Sequence, residues 1–304
     1  MDYILTTNNL TKKYGSKNAA DKINIHVKQG EIYGLIGRNG AGKTTILRML
    51  SGLSIPTEGS YSLLGKTGKE LDAEKSQVGT LIENPGLYPN LSAYENLKLK
   101  CIAMGVNSKE YINNLLSLVG LENTGKKKTR NFSLGMRQRL GIALALAGNP
   151  KIIILDEPIN GLDPQGIVEV REILTKLSKE RGITIIISSH ILDELSKIAN
   201  SYGIIHEGKL IDEMTSQQLE KKCGEYVFLK TTDNKNAETV LKSMGISSYD
   251  YFGEDTIRIT EKVTDTAAIV EKLVKSGVGV KEIALNHLSL EEYYLKLTGG
   301  HHNA

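Results

Sequence analysis

Two segments of the sequence carry residue types that together could handle a nucleoside triphosphate. The first, Gly37-Arg38-Asn39-Gly40-Ala41-Gly42-Lys43-Thr44, fits G-x-x-x-x-G-K-[ST] and runs on into Thr45. Glycines let successive backbone N–H groups converge on phosphate oxygens, and a following helix N-terminus adds partial positive charge. Lys43 has the reach for the β- and γ-phosphates, and the Thr44 hydroxyl suits Mg²⁺. The second segment, Lys151-Ile152-Ile153-Ile154-Leu155-Asp156-Glu157, reads as a buried strand delivering two carboxylates at its C-terminal end. Asp156 is placed to hold Mg²⁺, directly or through water, and Glu157 to polarise a water attacking the γ-phosphoryl group. A strand ending in acids often merely starts a solvated loop. Paired with the upstream loop, it completes a triphosphate-hydrolysing site.

Such a site needs a strand before the glycine-rich loop and a helix after it. Ile32 to Ile36 is a compact apolar run closed by glycines, and Thr44 to Leu50 has helical character. Ile23 to Val27 alternates, while Ile152 to Leu155 and Ile183 to Ile187 are short, β-branched and uninterrupted. Runs of this kind suit strands buried on both faces of a largely parallel sheet. Helical stretches, Gly166 to Glu180 and Ile191 to Ala199 among them, alternate with the strands and give α/β patterning. Residues 92–148 carry helical periodicity with almost no strand signal, so they read as a helical insert in a P-loop nucleotide-binding domain spanning residues 1–221. Lys126-Lys127-Lys128 and Arg130 read as a solvated turn within that insert.

From Glu225 the pattern changes. Strand at Glu225 to Lys230, helix at Asn236 to Met244, two strands about Gly253 within Tyr249 to Ile259, helix at Thr266 to Lys275 and strand at Val280 to Leu285 follow in order. That β-α-β-β-α-β succession predicts a small α+β, ferredoxin-like domain over residues 222–304. A closing helix over Leu288 to Leu297 stops at Gly299 and Gly300, and His301-His302 reads as a frayed terminus rather than a metal site.

Composition narrows the function classes. With 304 residues, 40% apolar and 24% charged, the chain has material for a substantial core, which excludes disordered and fibrous classes. A balance of 38 basic against 35 acidic side chains, net +3, is too weak to announce nucleic acid or acidic lipid. Cys101 and Cys223 form no disulfide framework and have no partners at metal-ligand spacing, which favours a reducing compartment. The N-terminus lacks the basic and apolar regions of a signal peptide, and no window approaches the roughly 18 apolar residues of a membrane helix. Any work at a membrane is expected from outside the bilayer.

A third segment leads to a family. Asn131-Phe132-Ser133-Leu134-Gly135-Met136-Arg137-Gln138-Arg139 resembles the signature L-S-G-G-Q-x-Q-R of ATP-binding-cassette proteins and lies in the same order relative to the other motifs. Asn160-Gly161-Leu162-Asp163 resembles the D-loop, His190 matches the switch histidine, and Tyr14 in Thr11-Lys12-Lys13-Tyr14-Gly15 matches the aromatic that stacks on adenine. The resemblance covers residues 3–220 and implies an ATPase using ATP and Mg²⁺. It implies that Ser133 and Gly135 contact the γ-phosphate of ATP held by a second cassette, that Asp163 belongs to the shared site, and that His190 senses the γ-phosphate. Taken alone, a serine at a helix N-terminus is more often just a cap, and a lone histidine after a strand is usually structural.

Two departures refine the resemblance. Leu134 and Met136 stand where the family most often has Gly and Gln, and Glu83 in Leu81-Ile82-Glu83-Asn84-Pro85 occupies the Q-loop glutamine position. A carboxylate there keeps an oxygen ligand for Mg²⁺ and adds negative charge. Together with Pro158 to Pro164 and Leu290-Glu291-Glu292-Tyr293-Tyr294, these stretches resemble the ATPase subunits of bacitracin-resistance and lantibiotic-immunity exporters. One cassette and no membrane span imply a second cassette, a homodimer, and separate membrane-spanning permease subunits, with the chain cytoplasmic and peripheral on the inner face of the cell membrane. Two alternatives stand beside this. A soluble cassette ATPase acting on ribosomes or DNA would be expected to carry two cassettes or a long coiled coil, and a non-hydrolysing nucleotide sensor would be expected to have lost some of Lys43, Thr44, Asp156, Glu157 and His190.

Overall fold

A computed structural model describes residues 3–222, 225–251, 255–260, 265–287 and 289–299. The chain divides into two compact units, Met1–Ser216 and Gln217–Ala304. The first opens with Tyr3–Tyr14 (β1), Lys17–Ile23 (β2), His26–Lys28 (β3), Ile32–Ile36 (β4), Lys43–Leu50 (α1) and Glu58–Leu63 (β5). Leu71–Glu74 (α2), Val78–Leu81 (β6), Ala93–Ala103 (α3), Lys109–Leu118 (α4), Leu134–Ala145 (α5) and Ile152–Asp156 (β7) follow. Pro164–Arg181 (α6), Thr184–Ser189 (β8), Leu192–Ser196 (α7), Ser201–His206 (β9) and Lys209–Thr215 (β10) complete it, and Ser216–Lys222 (α8) leads into the second unit.

Sheet order explains how distant motifs meet. One sheet has the order β10-β9-β4-β8-β7-β6, parallel except for the β9–β10 pair. Every residue of β4, β7 and β8 is buried, which is why these segments read as unbroken apolar runs. Because β4 and β7 flank β8 in parallel, their C-terminal ends lie side by side: Ile36 pairs with Ser189, and Asp156 with Ser188. The second sheet is antiparallel, with β1 pairing β2, β3 and β5. Between the sheets, α1 buries Ile46, Leu47, Met49 and Leu50 in a core shared with Leu5, Leu10, Ile23, Leu35, Ile152, Ile154 and Ile186. The helix behind the glycine-rich loop is thereby anchored to both sheets.

The alternating run at Ile23 to Val27 is not one strand. It breaks at Asn24–Ile25, where the Thr7 hydroxyl donates to the Ile23 carbonyl (2.8 Å) and accepts from the Ile25 N–H (2.7 Å), filling the gap between β2 and β3. The helical insert is α3 to α5, and its basic cluster is a largely exposed turn whose side chains meet partners at the surface. Lys128 pairs with Glu95 at 3.4 Å, Lys127 stands 5.7 Å from the Phe132 ring centre, and Arg130 donates to Asn90 (3.1 Å). Glu95 also closes a capping box with Ser92 at the start of α3. Hydrogen bonds from Ser92 and the Lys128 charge hold its carboxyl down to about 2.

The second unit runs Glu225–Thr231 (β11), Asn234–Ser243 (α9), Tyr249–Tyr251 (β12), Thr256–Ile259 (β13), Thr266–Lys275 (α10), Val280–His287 (β14) and Leu290–Thr298 (α11). Its sheet has the order β12-β13-β11-β14, antiparallel throughout, with Val227, Leu229, Ile257 and Ile259 packed against Leu241, Ile269 and Leu273 of α9 and α10. The last helix starts at Leu290 rather than Leu288, because Ser289 and Glu292 form a capping box there. Gly299, with φ of 70°, ends it. Cys223, Gly253, Gly300 and His301-His302 lie outside the described residues. Among the described residues no helix is long and apolar enough to cross a membrane.

Candidate active site

The glycine-rich loop leaves β4 at Ile36 and enters α1 at Lys43, so its N–H groups sit at the N-terminus of a buried helix. Two of its glycines are required by close backbone contact. A Cβ on Gly37 would lie 2.5 Å from the Ile205 carbonyl oxygen, and one on Gly42, whose φ is 110°, 2.3 Å from that of Ala19. The loop borders a cleft of about 620 Å³ to which it contributes Asn39, Gly40, Gly42, Lys43, Thr44 and Thr45, with Glu157 beyond β7. Lys17, Asn18 and Ala19 of β2 and Glu207 and Gly208 of the β9–β10 turn complete the lining.

Five residues expected from sequence meet by direct contact. The Thr44 hydroxyl donates to Asp156 Oδ2 at 2.8 Å. The Lys43 ammonium, nearly buried, donates to the carbonyls of Gly37 (2.7 Å) and Arg38 (3.3 Å) and stands 3.1 Å from Glu157 Oε1. His190 Nδ1 donates to Glu157 Oε2 at 2.7 Å. Glu157 holds φ at 50°, a left-handed value unusual for a non-glycine residue and of the kind that clusters at active sites. Its Oε1 is buried and accepts no hydrogen bond. That oxygen stands against the Lys43 ammonium, so an acceptor position on Glu157 is kept unfilled beside a cation.

Ser188, which sequence reasoning missed, ties the acids together. Its hydroxyl donates to Asp156 Oδ1 at 2.6 Å and accepts the Glu157 N–H at 2.9 Å, fixing the strained residue from below. The only signal was a pair of serines ending the β-branched run of β8.

The other expected site residues stand elsewhere in the single chain. Ser133 is the exposed N-cap of α5, its hydroxyl accepting the Met136 N–H at 3.2 Å, and Gly135 follows in the first turn. Asp163 caps α6 by accepting the Gly166 N–H at 3.1 Å. Tyr14, at the end of β1, is 52% exposed with the Lys12 ammonium 5.4 Å from its ring centre, so it presents an open aromatic face beside the cleft's Lys17 wall rather than lining the cleft. Glu83 lies beyond the end of β6, in the segment leading to the helical insert. Its carboxylate, more than half exposed, pairs with Arg48, one helical turn beyond Thr44 on α1.

The donor set fits a nucleotide-borne Mg²⁺ better than a resident metal. No cluster of three His, Cys, Asp or Glu able to hold a metal occurs among the described residues, whereas one hydroxyl and one carboxylate, Thr44 and Asp156, leave most positions to phosphate oxygens and water.

Comparison with known proteins agrees with this geometry. The sequence profile of the ABC transporter family matches residues 20–160. Bacitracin transport ATP-binding protein BcrA of Bacillus licheniformis is 43% identical over 305 residues, covering 99% of each chain. Lantibiotic transport ATP-binding protein SrtF of Streptococcus pyogenes is 48% identical over 210 residues, 69% of this chain and 90% of that one. A solved ATP-binding cassette, a dimer in a post-hydrolysis state bound to ADP and Pi, is 29% identical and superposes with a TM-score of 0.63 over 70% of this chain and 98% of its own. The chain described here belongs to the ABC transporter family, as an ATP-binding, ATP-hydrolysing subunit of the branch that holds BcrA and SrtF.

Proposed function

We propose that this ATPase energises an exporter of peptide antibiotics such as bacitracin or lantibiotics. It works as a homodimer beneath separate permease subunits on the inner face of the cell membrane. The observation that carries the chemistry is the contact chain Lys43–Glu157–His190 set over Thr44–Asp156–Ser188. The substrate class rests on BcrA and SrtF, whose names state bacitracin and lantibiotic transport. The second unit is proposed to be a ferredoxin-like accessory domain, supported by the strand order β12-β13-β11-β14.

The roles follow from charge. Lys43 is occupied by two loop carbonyls and Glu157; a triphosphate offers it stronger, fully charged acceptors, so binding draws the ammonium onto the β- and γ-phosphates. Glu157 then loses its cationic partner and becomes a better proton acceptor for the attacking water, while His190 keeps the carboxylate aimed. Thr44 and Asp156 are the residues that would hold Mg²⁺, which would neutralise charge developing on the phosphates. Ser133 and Gly135 act on the γ-phosphate of the opposite copy; the exposed Ser133 and half-buried Gly135 leave this end of α5 open to a partner, as such sharing requires.

The test is tolerance. Co-expressed with its membrane-spanning partner in a sensitive bacterium, the wild-type chain should raise tolerance to bacitracin or to a lantibiotic, and Lys43→Ala should abolish the gain. A chain that hydrolyses ATP with its permease present yet protects against neither peptide class would overturn the substrate assignment.

A further inference from the structure

Glu207 and Gly208 make the two-residue turn between β9 and β10, with His206 paired to Lys209 across it. Both have positive φ, 47° and 79°. Turns of this kind favour Asn, Asp or Gly at the first position, since a longer side chain gains nothing in the left-handed region and crowds the following carbonyl. Gly208 has a structural reason to be there: its N–H donates to Ala41 (2.8 Å), its carbonyl accepts from Asp21 (2.7 Å), and a Cβ would come 3.1 Å from the Asn18 carbonyl oxygen. For Glu207 no such reason exists. Among the described residues no hydrogen bond or ion pair takes up its carboxylate, yet it lines the cleft.

The direction of the bound nucleotide decides what Glu207 meets. Lys43, Thr44 and Glu157 fix where the phosphates lie, and a further carboxylate set against the phosphates would repel them. The Glu207–Gly208 turn packs on β2, against Asn18, Ala19 and Asp21. That strand begins at Lys17, which pairs with Tyr14, so the exposed Glu207 stands where the cleft leads toward the nucleoside half. A carboxylate only accepts hydrogen bonds. The ribose 2′- and 3′-hydroxyls offer two adjacent donors, matching its two oxygens, whereas an adenine edge sets one amino group beside acceptor nitrogens that a carboxylate repels. We propose that Glu207 is a nucleotide-specificity residue whose carboxylate accepts hydrogen bonds from the ribose hydroxyls. The inference rests on the reading that this cleft holds ATP.

The test uses the full chain and the variant Glu207→Gly, which removes the carboxylate while suiting the turn. Binding of ATP, 2′,3′-dideoxyATP and ITP is measured with Mg²⁺ by displacement of a fluorescent ATP analogue. Wild type should prefer ATP over 2′,3′-dideoxyATP by about 10-fold, the scale of lost hydrogen bonds to a charged group, and Glu207→Gly should bring that ratio close to 1. An unchanged thermal midpoint would show that the fold is intact. Equal dideoxy ratios in the two proteins would overturn the proposal. A variant that loses only its preference for ATP over ITP would overturn it in favour of base reading. Wild type that binds ATP nowhere would instead overturn the cleft reading itself, and the proposal with it.

Discussion

Ser188→Ala should damage this protein more than its chemistry suggests. The hydroxyl holds a hydrogen bond to the buried Asp156 carboxylate at 2.6 Å and one from the Glu157 N–H at 2.9 Å, and Ser188 itself is fully buried. Losing a hydrogen bond to a charged group costs about 1.5–3 kcal/mol, and an orphaned buried N–H about 1–3 kcal/mol. Asp156 keeps its bond from Thr44, which offsets part of the loss, so the expected destabilisation is about 2–4 kcal/mol. For a unit of this size that corresponds to a fall in melting temperature of about 5–15 °C. Calorimetry on the full chain reads it directly. A cycle with Asp156→Asn then isolates the shared term, which should reach about 1 kcal/mol or more because the two residues touch. A Ser188→Ala protein within about 0.5 kcal/mol of wild type, or a strictly additive cycle, would refute the idea that this serine fixes the acids.

Other outcomes follow from the same geometry. Glu157→Gln should retain ATP binding and slow turnover by about 10²-fold or more, with a dimer stable enough to follow by gel filtration in ATP; wild-type turnover would remove Glu157 from the mechanism. Mixing Lys43→Ala with Ser133→Arg chains should restore hydrolysis, since one site of a mixed dimer carries both lesions and the other none; proven mixed dimers without activity would count against shared sites. Glu83→Gln should raise the Mg²⁺ needed for half-maximal hydrolysis if the carboxylate leaves Arg48 for the metal, and superimposable Mg²⁺ titrations would leave Glu83 as Arg48's partner alone. A truncation after Lys222 should still hydrolyse ATP, because every contact of the site lies before residue 217; a folded, dimeric truncation that binds no ATP would contradict this.

What the sequence made legible were the parts whose constraints are local. Gly37 and Gly42 must be glycine because of backbone carbonyls within 2.5 Å, and that requirement surfaces as a motif. Asp156 and Glu157 announce themselves by ending a wholly apolar strand. Residues whose roles depend on a neighbouring strand or helix gave no such sign. Arg48 looks like any surface arginine until α1 brings it to Glu83, an ion pair that no local pattern announces. Ser188 is silent in β8, since a serine in an isoleucine run has no pattern of its own; only the pairing of Asp156 with Ser188 gives it meaning. The site is therefore specified twice, once by its motifs and once by the register of β8 between β4 and β7. Side chains alternate along a strand, so a slip of one residue in β8 would turn Ser188 away from Asp156 and offset His190 from Glu157 together. Burial cannot forbid that slip, because Ile185, Ile186 and Ile187 are buried on both faces and could replace one another. The polar contacts at the strand's end, Ser188 to Asp156 and to the Glu157 N–H, are what distinguish the registers and keep the acids, the serine and the histidine in one place.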